Sequence, residues 1–516
     1  MISKLIYASL ACGVLFSVTS CEDQKFDNTF VNVDRVHVDT LSAEMQKVRD
    51  YVPDYALVAH RGSTFWTPEE TEAAYRWARE MGADYLECDM QVSKDGVVLA
   101  LHDTDLKRTT NIEEVFGEYL PEKLRREYYA YFGYSQAKID SLIKQDKKYF
   151  VANYPSSYTY YELMHLDAGK WFNEDTPEVA RVGFETNHQY ISTLEDLIMY
   201  SKGFRLKRYG KDVTVPAGKD FLWGDAATGE RVVTGMIASN KTITNPVNFY
   251  TVDPIVSYQC EYEVDENWGG NIPGIYIEFK EPWLNPSGFE QMVYDELAAV
   301  KDMNIITKPV ADNAPFYADR SIRGITFGAD AILSANGKVV NVGETNGKVI
   351  LQTFSLQSLV QVSKIFKGEV PMCFLLWKGT GATDLAYDDP QGYASFINLG
   401  VEYKAHYIGP CIAGAPNNYP ELNQPWQHHL IHQAKMKNHP YSFDTYDQMA
   451  KYFGQYNFGI EGGTRYEGPY VDAFFTNHTD MSLEYLYTFG YRNSDVAPYP
   501  VQNPREVLED LGYNKK

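Results

Sequence analysis

Asp84-Tyr85-Leu86-Glu87-Cys88-Asp89-Met90 reads as a β-strand, and its reading decides the fold. Residues two apart on a strand face the same way, about 6.6 Å apart at a rise of roughly 3.3 Å per residue. Glu87 and Asp89 therefore share a face. Two acids on an inward face repel unless a cation sits with them, and a divalent metal with oxygen ligands removes that cost. An exposed edge strand would solvate both acids instead, but the apolar neighbours Leu86 and Met90 argue for the inward placement. Upstream, the apolar run 56–59 leads into His60-Arg61-Gly62, where Gly62 lets the chain turn sharply. Downstream, the run 97–101 leads into His102-Asp103. Three successive apolar runs thus bear a histidine, paired acids and a second histidine. Two imidazoles beside a metal–carboxylate cluster suit phosphate chemistry, one as general base and one as general acid.

Working outward, short apolar runs alternate with helical patterns, as in a βα-repeating protein. Candidate strands lie at 56–59, 84–90, 97–101, 274–279, 348–353, 372–377, 439–443 and 471–476, with an amphipathic helix at 71–81. Eight is the number a (β/α)8 barrel needs, and barrel enzymes place reactive groups at the C-terminal ends of their strands. The chain of 516 residues is about twice the roughly 250 residues of a typical barrel. The excess falls in blocks at about 111–193, 203–273, 304–346 and 384–427. The second, rich in Gly, Asp, Thr and Val, reads as β-hairpins.

With 44% hydrophobic and 22% charged residues the chain is not globally disordered. Its net charge of −22 argues against nucleic acid as a partner, since phosphate neutralisation needs surplus Lys and Arg. Residues 1–20 read as a lipoprotein signal peptide. Lys4 precedes a mostly apolar run from Leu5 to Val18 that ends in Val18-Thr19-Ser20-Cys21, which resembles a lipobox with Cys21 as the lipidated residue. An ordinary secretory signal is the alternative. Residues 21–51 read as a polar tether ending in a short helix, and 52–516 as the barrel. The expectation is an exported protein, lipid-anchored to a bacterial membrane on its periplasmic or cell-surface side. The remaining cysteines, Cys88, Cys260, Cys373 and Cys411, form no CxxC pair, so a zinc site on cysteines is not expected.

His60-Arg61-Gly62, Pro68-Glu69-Glu70-Thr71, Gly82-Ala83-Asp84, Glu87-Cys88-Asp89, Lys94-Asp95-Gly96, His102-Asp103 and Leu106-Lys107-Arg108-Thr109-Thr110-Asn111 follow one another in order. Together they resemble the glycerophosphodiester phosphodiesterase family. Leu166–Phe172, Ser192–Glu195, Tyr276-Ile277-Glu278-Phe279-Lys280 and Asp472–Thr476 resemble its later motifs. The resemblance implies an α/β TIM (β/α)8 barrel of the phospholipase-C-like (PLC-like) phosphodiesterase type, with large insertions between strands. It implies His60 and His102 as the acid–base pair, with neither role assigned to either. It implies Glu87, Asp89 and Glu278 as ligands of a divalent cation, Ca²⁺ or Mg²⁺. Arg61 and Lys280 match phosphate contacts, and Glu69 matches a residue that orders the site. The implied reaction converts a glycerophosphodiester to glycerol phosphate and an alcohol, the substrate's own glycerol hydroxyl attacking phosphorus. Three positions depart from the pattern. Glu70 stands where the family has Asn, Asn477 where it has Asp, and Asp444 where related secreted members carry Arg.

Two other readings are a barrel that binds glycan or phospholipid without turnover, and a cyclising phospholipase on the same fold. His428, His429 and His432 have metal-binding i,i+4 spacing, but no partnering acid lies in the pattern, so they read as surface histidines on a helix. Lys378-Gly379-Thr380-Gly381 reads as a loop. No Gly-x-Ser-x-Gly or His-Glu-x-x-His occurs, so serine-hydrolase and zincin chemistry lack support.

Overall fold

The computed structural model describes residues 33–210, 229–244, 247, 252–299, 320–322, 325–327, 342–378, 385–455, 466–492 and 501–516. The signal peptide, Cys21 and most of the 304–346 block lie outside them, as do Gly379, Thr380 and Gly381.

Eight strands make a parallel barrel. They are β1 (Ala56–Ala59), β2 (Tyr85–Val92), β4 (Gly274–Phe279), β5 (Val349–Thr353), β6 (Met372–Leu376), β7 (Tyr407–Pro410), β8 (Lys437–Asn438) and β9 (Ala473–Thr476). Their spatial order is β8-β7-β6-β5-β4-β2-β1-β9. The two ends of that order meet. Asp472 N–H donates to the Asn438 carbonyl at 2.9 Å and Phe443 N–H to the Phe475 carbonyl at 2.8 Å, with a parallel bridge between Phe443 and Thr476. β1, β2, β4, β5, β6, β7 and β9 are buried along their whole length, as parallel strands covered on both sides must be. Helix α1 (Glu72–Met81) follows β1. Thr71 caps it by accepting the Ala74 N–H, and Gly82 at φ 100° ends it.

Three strands differ from the expectation. Residues 97–101 do not supply a barrel strand. Val98–Ala100 (β3) pairs antiparallel with the far end of β2, Met90 opposite Ala100, as a hairpin arm off the barrel. The missing barrel strand is β7, inside the 384–427 stretch expected to be a connection. Tyr407-Ile408-Gly409-Pro410 shows no apolar run because its backbone packs too closely for one. A Cβ at Gly409 would lie 2.6 Å from Leu375 Cδ2. The expected strand at 439–443 is shifted, with β8 at Lys437–Asn438 and only bridges through Tyr441 and Phe443 beyond it.

The 203–273 block carries the expected antiparallel pairs, Phe204–Leu206 with Tyr262–Val264 and Val233–Thr244 with Val252–Cys260. It braces the β2–β3 arm. Asp95 in the arm's turn accepts the Tyr258 hydroxyl at 2.7 Å and the Tyr160 N–H at 2.9 Å. Arg231 pairs with buried Asp196 at 2.8 Å, and Arg76 with Asp265 at 2.6 Å. The four cysteines in the described residues are free, and Cys88, Cys373 and Cys411 are buried. Among the described residues no helix is long and apolar enough to cross a membrane.

Candidate active site

β1 ends at Ala59, and the chain turns through His60–Gly62 with Arg61, Gly62 and Ser63 all at positive φ. Gly62 is required there. Its φ is 81°, and a Cβ would sit 2.6 Å from the Ala74 Cβ of α1. The turn aims His60 into the barrel mouth and Arg61 across it. Glu87 and Asp89 come from the middle of β2 and share one face, and the register puts Asp89 beside Glu278 of β4. One carboxylate oxygen each from Glu87, Asp89 and Glu278 lies within 4.8 Å of the other two, and all three residues are buried. His102 reaches the same cleft from the loop after the β3 arm, not from the end of a barrel strand. His60, Arg61, Glu87, Asp89, His102, Glu278 and Lys280 thus line one cleft.

The three acids could hold a cation. Burial, then Asp89 and Glu278, push the Glu87 carboxyl well above its ordinary value. Burial, and after it Asp89 against the relief from Lys280, pushes Glu278 up to about 8. Asp89 resists its own burial because Lys280, His102 and Arg61 hold it below the usual carboxylate range. Its Oδ2 is nevertheless buried with no hydrogen-bond partner. An orphaned buried carboxylate oxygen facing two more carboxylates fits a hard divalent cation with oxygen ligands. Gln352 on β5 fixes the cage by donating to Glu87 Oε1 at 2.9 Å, and the Arg61 N–H donates to Glu87 Oε2 at 2.7 Å.

Cations frame the cage. Lys280 Nζ lies 3.3 Å from Glu278 Oε1, 3.7 Å from Asp89 Oδ1 and 3.0 Å from His102 Nε2. The Arg61 guanidinium lies 3.5 Å from both Asp89 and Glu69. Glu69 is tied in turn by Arg108 at 2.5 Å, and Arg108 also donates to Asp103 at 2.5 Å. Glu69 thus anchors a charge chain that runs from Arg61 to the His102 loop.

The two imidazoles are held differently. His102 Nδ1 donates to the Asp103 carboxylate at 2.6 Å. His60 Nδ1 lies 2.7 Å from Asn477 Oδ1, and Asn477 Nδ2 donates to Asp444 Oδ1 at 2.5 Å. Because Asp444 accepts, Asn477 turns its oxygen to His60, which places a proton on Nδ1 and leaves the Nε2 lone pair free. Burial, then Arg61, push His60 down to about 3, and burial, Arg61 and Lys280 lower His102, so both rings are neutral at pH 7. Asn477 and Asp444, two of the departures in sequence, are therefore the support of His60. The third departure, Glu70, stands behind the cage. It sits at φ 61°, where Asn is more at ease than Glu, and it accepts the Asp89 N–H at 3.0 Å and the Tyr75 hydroxyl at 2.5 Å.

Opposite the charges the cleft is aromatic, lined by Phe354, Trp377, Tyr419, Tyr441 and Phe475. This wall and Gln352 are not legible in the sequence, since β5, β6, β9 and the 411–441 segment bring them in from unrelated stretches. The histidine cluster also differs from expectation. His428 is buried at 6% exposure, and Asp472 supplies the acid that the local pattern lacked, 2.8 Å from His432.

Residues 60–213 match the model of the glycerophosphoryl diester phosphodiesterase family. This stretch is similar to that family. It contains His60, Arg61, Glu69, Glu87, Asp89 and His102, while Glu278 and Lys280 join them through the pairing of β4 with β2. A glycerophosphodiester phosphodiesterase of Bacillus subtilis is 32% identical over 163 residues, covering 31% of this chain and 38% of its own. One from Caldanaerobacter subterraneus is 34% identical over 108 residues, covering 21% of this chain and 40% of its own. The matches thus span about two fifths of these curated relatives. A solved Oleispira antarctica phosphodiesterase in complex with the product sn-glycerol-3-phosphate aligns over 84% of this chain and 96% of its own, at 13% identity and a TM-score of 0.40.

Proposed function

We propose that this chain is a divalent-cation-dependent phosphodiesterase that hydrolyses glycerophosphodiesters to glycerol phosphate and an alcohol. The observation that carries the reading is the convergence of two neutral imidazoles, two cations and three buried carboxylates in one cleft. Glu87, Asp89 and Glu278 would hold the cation, Ca²⁺ or Mg²⁺. When bound, it offsets negative charge on the phosphate oxygens. Arg61 binds phosphate oxygens as a fork and Lys280 as a point charge. With the diester so oriented, its glycerol hydroxyl is the nearest nucleophile, and proximity makes that attack efficient. One histidine takes the hydroxyl proton at Nε2 as the new O–P bond forms. The other, which takes up a proton at Nε2 as the anionic diester binds, gives that proton to the departing alcohol oxygen as the old O–P bond breaks. Water then opens the cyclic phosphate with the two roles exchanged. The aromatic wall is the surface available to the alcohol moiety.

Chelation tests this reading. Treatment with EDTA is expected to abolish hydrolysis of a panel of glycerophosphodiesters, and Ca²⁺ or Mg²⁺ to restore it. Full activity in chelator, with no metal by elemental analysis, would count against it. We also propose export and lipidation at Cys21, supported by the Val18-Thr19-Ser20-Cys21 sequence. A mature N-terminus other than a lipid-modified Cys21, found by mass spectrometry, would refute it.

A further inference from the structure

Helix α2 (Pro425–Gln433) runs beside the opposite end of the barrel, near the start of β9. His428 and His432 lie one turn apart on it, with ring centroids 4.0 Å apart. Asp472 just precedes β9, and His432 Nε2 lies 2.8 Å from its Oδ2. A ring nitrogen of each histidine and a carboxylate oxygen of Asp472 all lie within 4.8 Å of one another. Asn477, which holds His60, is five residues further along the chain, just past the other end of β9. At a strand rise of roughly 3.3 Å per residue the cluster is about 16 Å from the cleft.

His428 is the informative member. It is buried, at 6% exposure, and its hydrogen bond to the protein is a long one. Its Nδ1 faces Asn438 Nδ2 at 3.1 Å, but that amide has two hydrogens and two nearer acceptors, Asn423 Oδ1 at 2.7 Å and the Tyr470 carbonyl at 2.8 Å. Among the described residues Nε2 has no hydrogen-bond partner. The ring nitrogens of His428 and His432 and the Asp472 carboxylate are close enough to share an ion. Two imidazoles at i,i+4 with a carboxylate across from them form a first coordination sphere of known type.

We propose that His428, His432 and Asp472 form a second metal site, for Zn²⁺ or another late first-row divalent ion. The ligand chemistry separates it from the catalytic cage. Imidazole nitrogens favour zinc, copper or nickel, whereas the all-oxygen set of Glu87, Asp89 and Glu278 favours calcium or magnesium. A tetrahedral ion with bonds of about 2.0–2.2 Å sets its ligands roughly 3.3–3.5 Å apart, so the cluster closes by about an ångström, mainly through the exposed His432. The fourth position is open to water. Asp472 sits at the barrel's closing seam. Its carboxylate accepts the Asn438 N–H at 2.7 Å, its N–H donates to the Asn438 carbonyl, and its carbonyl accepts the Tyr55 N–H ahead of β1. An ion there ties α2 to the junction of β8, β9 and β1. It acts as a brace, leaving the chemistry in the cleft alone.

The test uses the full chain in excess Ca²⁺, so that the oxygen cage is filled. Wild type is expected to retain one equivalent of Zn²⁺ in equilibrium dialysis and to gain in Tm. Cu²⁺ at the site is expected to show nitrogen hyperfine coupling from two imidazoles. His432→Ala, at an exposed position, is expected to weaken that Zn²⁺ binding at least about tenfold and to abolish the Tm gain. His428→Gln is expected to lose one nitrogen coupling. Absence of a retained Zn²⁺ equivalent in wild type would overturn the proposal, as would unchanged binding in His432→Ala, leaving a hydrogen-bonded His432–Asp472 pair.

Discussion

Replacing Asn477 by Leu removes the contact that sets the His60 tautomer while leaving every charged group of the cleft in place. His60 Nδ1 then loses its acceptor at 2.7 Å, and Asp444 loses one of its donors. A hydrogen bond between neutral groups is worth about 1–1.5 kcal/mol net. At about 1.36 kcal/mol per factor of ten, kcat should fall roughly 5- to 13-fold. Removing the imidazole itself, in His60→Ala, forfeits general acid–base assistance worth about 10²- to 10⁴-fold. KM should hardly move in Asn477→Leu, because Arg61 and Lys280 still bind the phosphate. If Asn477 acts only through His60, the double variant should be no slower than His60→Ala alone, a wholly non-additive cycle. The assay is steady-state hydrolysis of glycerophosphocholine by the four proteins, with circular dichroism to verify folding. A further 5- to 13-fold loss on adding Asn477→Leu to His60→Ala would refute the positioning role.

Gly62→Ala should destabilise the protein by about 1–3 kcal/mol or more, since it places a Cβ 2.6 Å from Ala74 at φ 81°; urea denaturation measures this, and an unchanged midpoint contradicts the need for glycine. His406 predicts a pH effect. It is fully buried, accepts the Met372 N–H at Nδ1 at 3.0 Å, and burial pushes it down to about 3. Its folded value lies below the unfolded value of about 6.5, so the unfolded chain binds the extra proton. The stability it contributes is complete above pH 6.5 and is lost as pH falls toward 3. Between pH 6.5 and 5.5 the loss is about 1 kcal/mol. His406→Leu should show an acid loss smaller by that amount over this interval, and an identical pH slope would contradict the assignment.

What was legible in the sequence was local. Glu87 and Asp89 announce a shared face because strand geometry fixes residues two apart, and Thr71 and Gly82 bracket α1 through cap chemistry. What was not legible depended on distant partners. Asn477 and Asp444 stand as departures from a pattern, because their meaning lies in the contact of Asn477, backed by Asp444, with His60, 417 positions from Asn477. The His428–His432 pair lacked an acid until β9 delivered Asp472 from 40 residues downstream. The expected count of eight barrel strands holds through two compensating differences. The run 97–101 has a strand's composition and forms one, but composition does not reveal that it folds back on β2 as an antiparallel arm. β7 has a glycine and a proline where an apolar run was sought, because close packing against Leu375 excludes a side chain at Gly409.

The central claim is that His60 and His102 act together on one phosphodiester beside the acidic cage. Phosphorus NMR of glycerophosphocholine turnover by wild type, His60→Ala and His102→Ala tests it most directly. Wild type is expected to yield glycerol phosphate as the end product, and each variant, folded as wild type, to turn over at least about a hundredfold more slowly. Hydrolysis at the wild-type rate by either variant would contradict it.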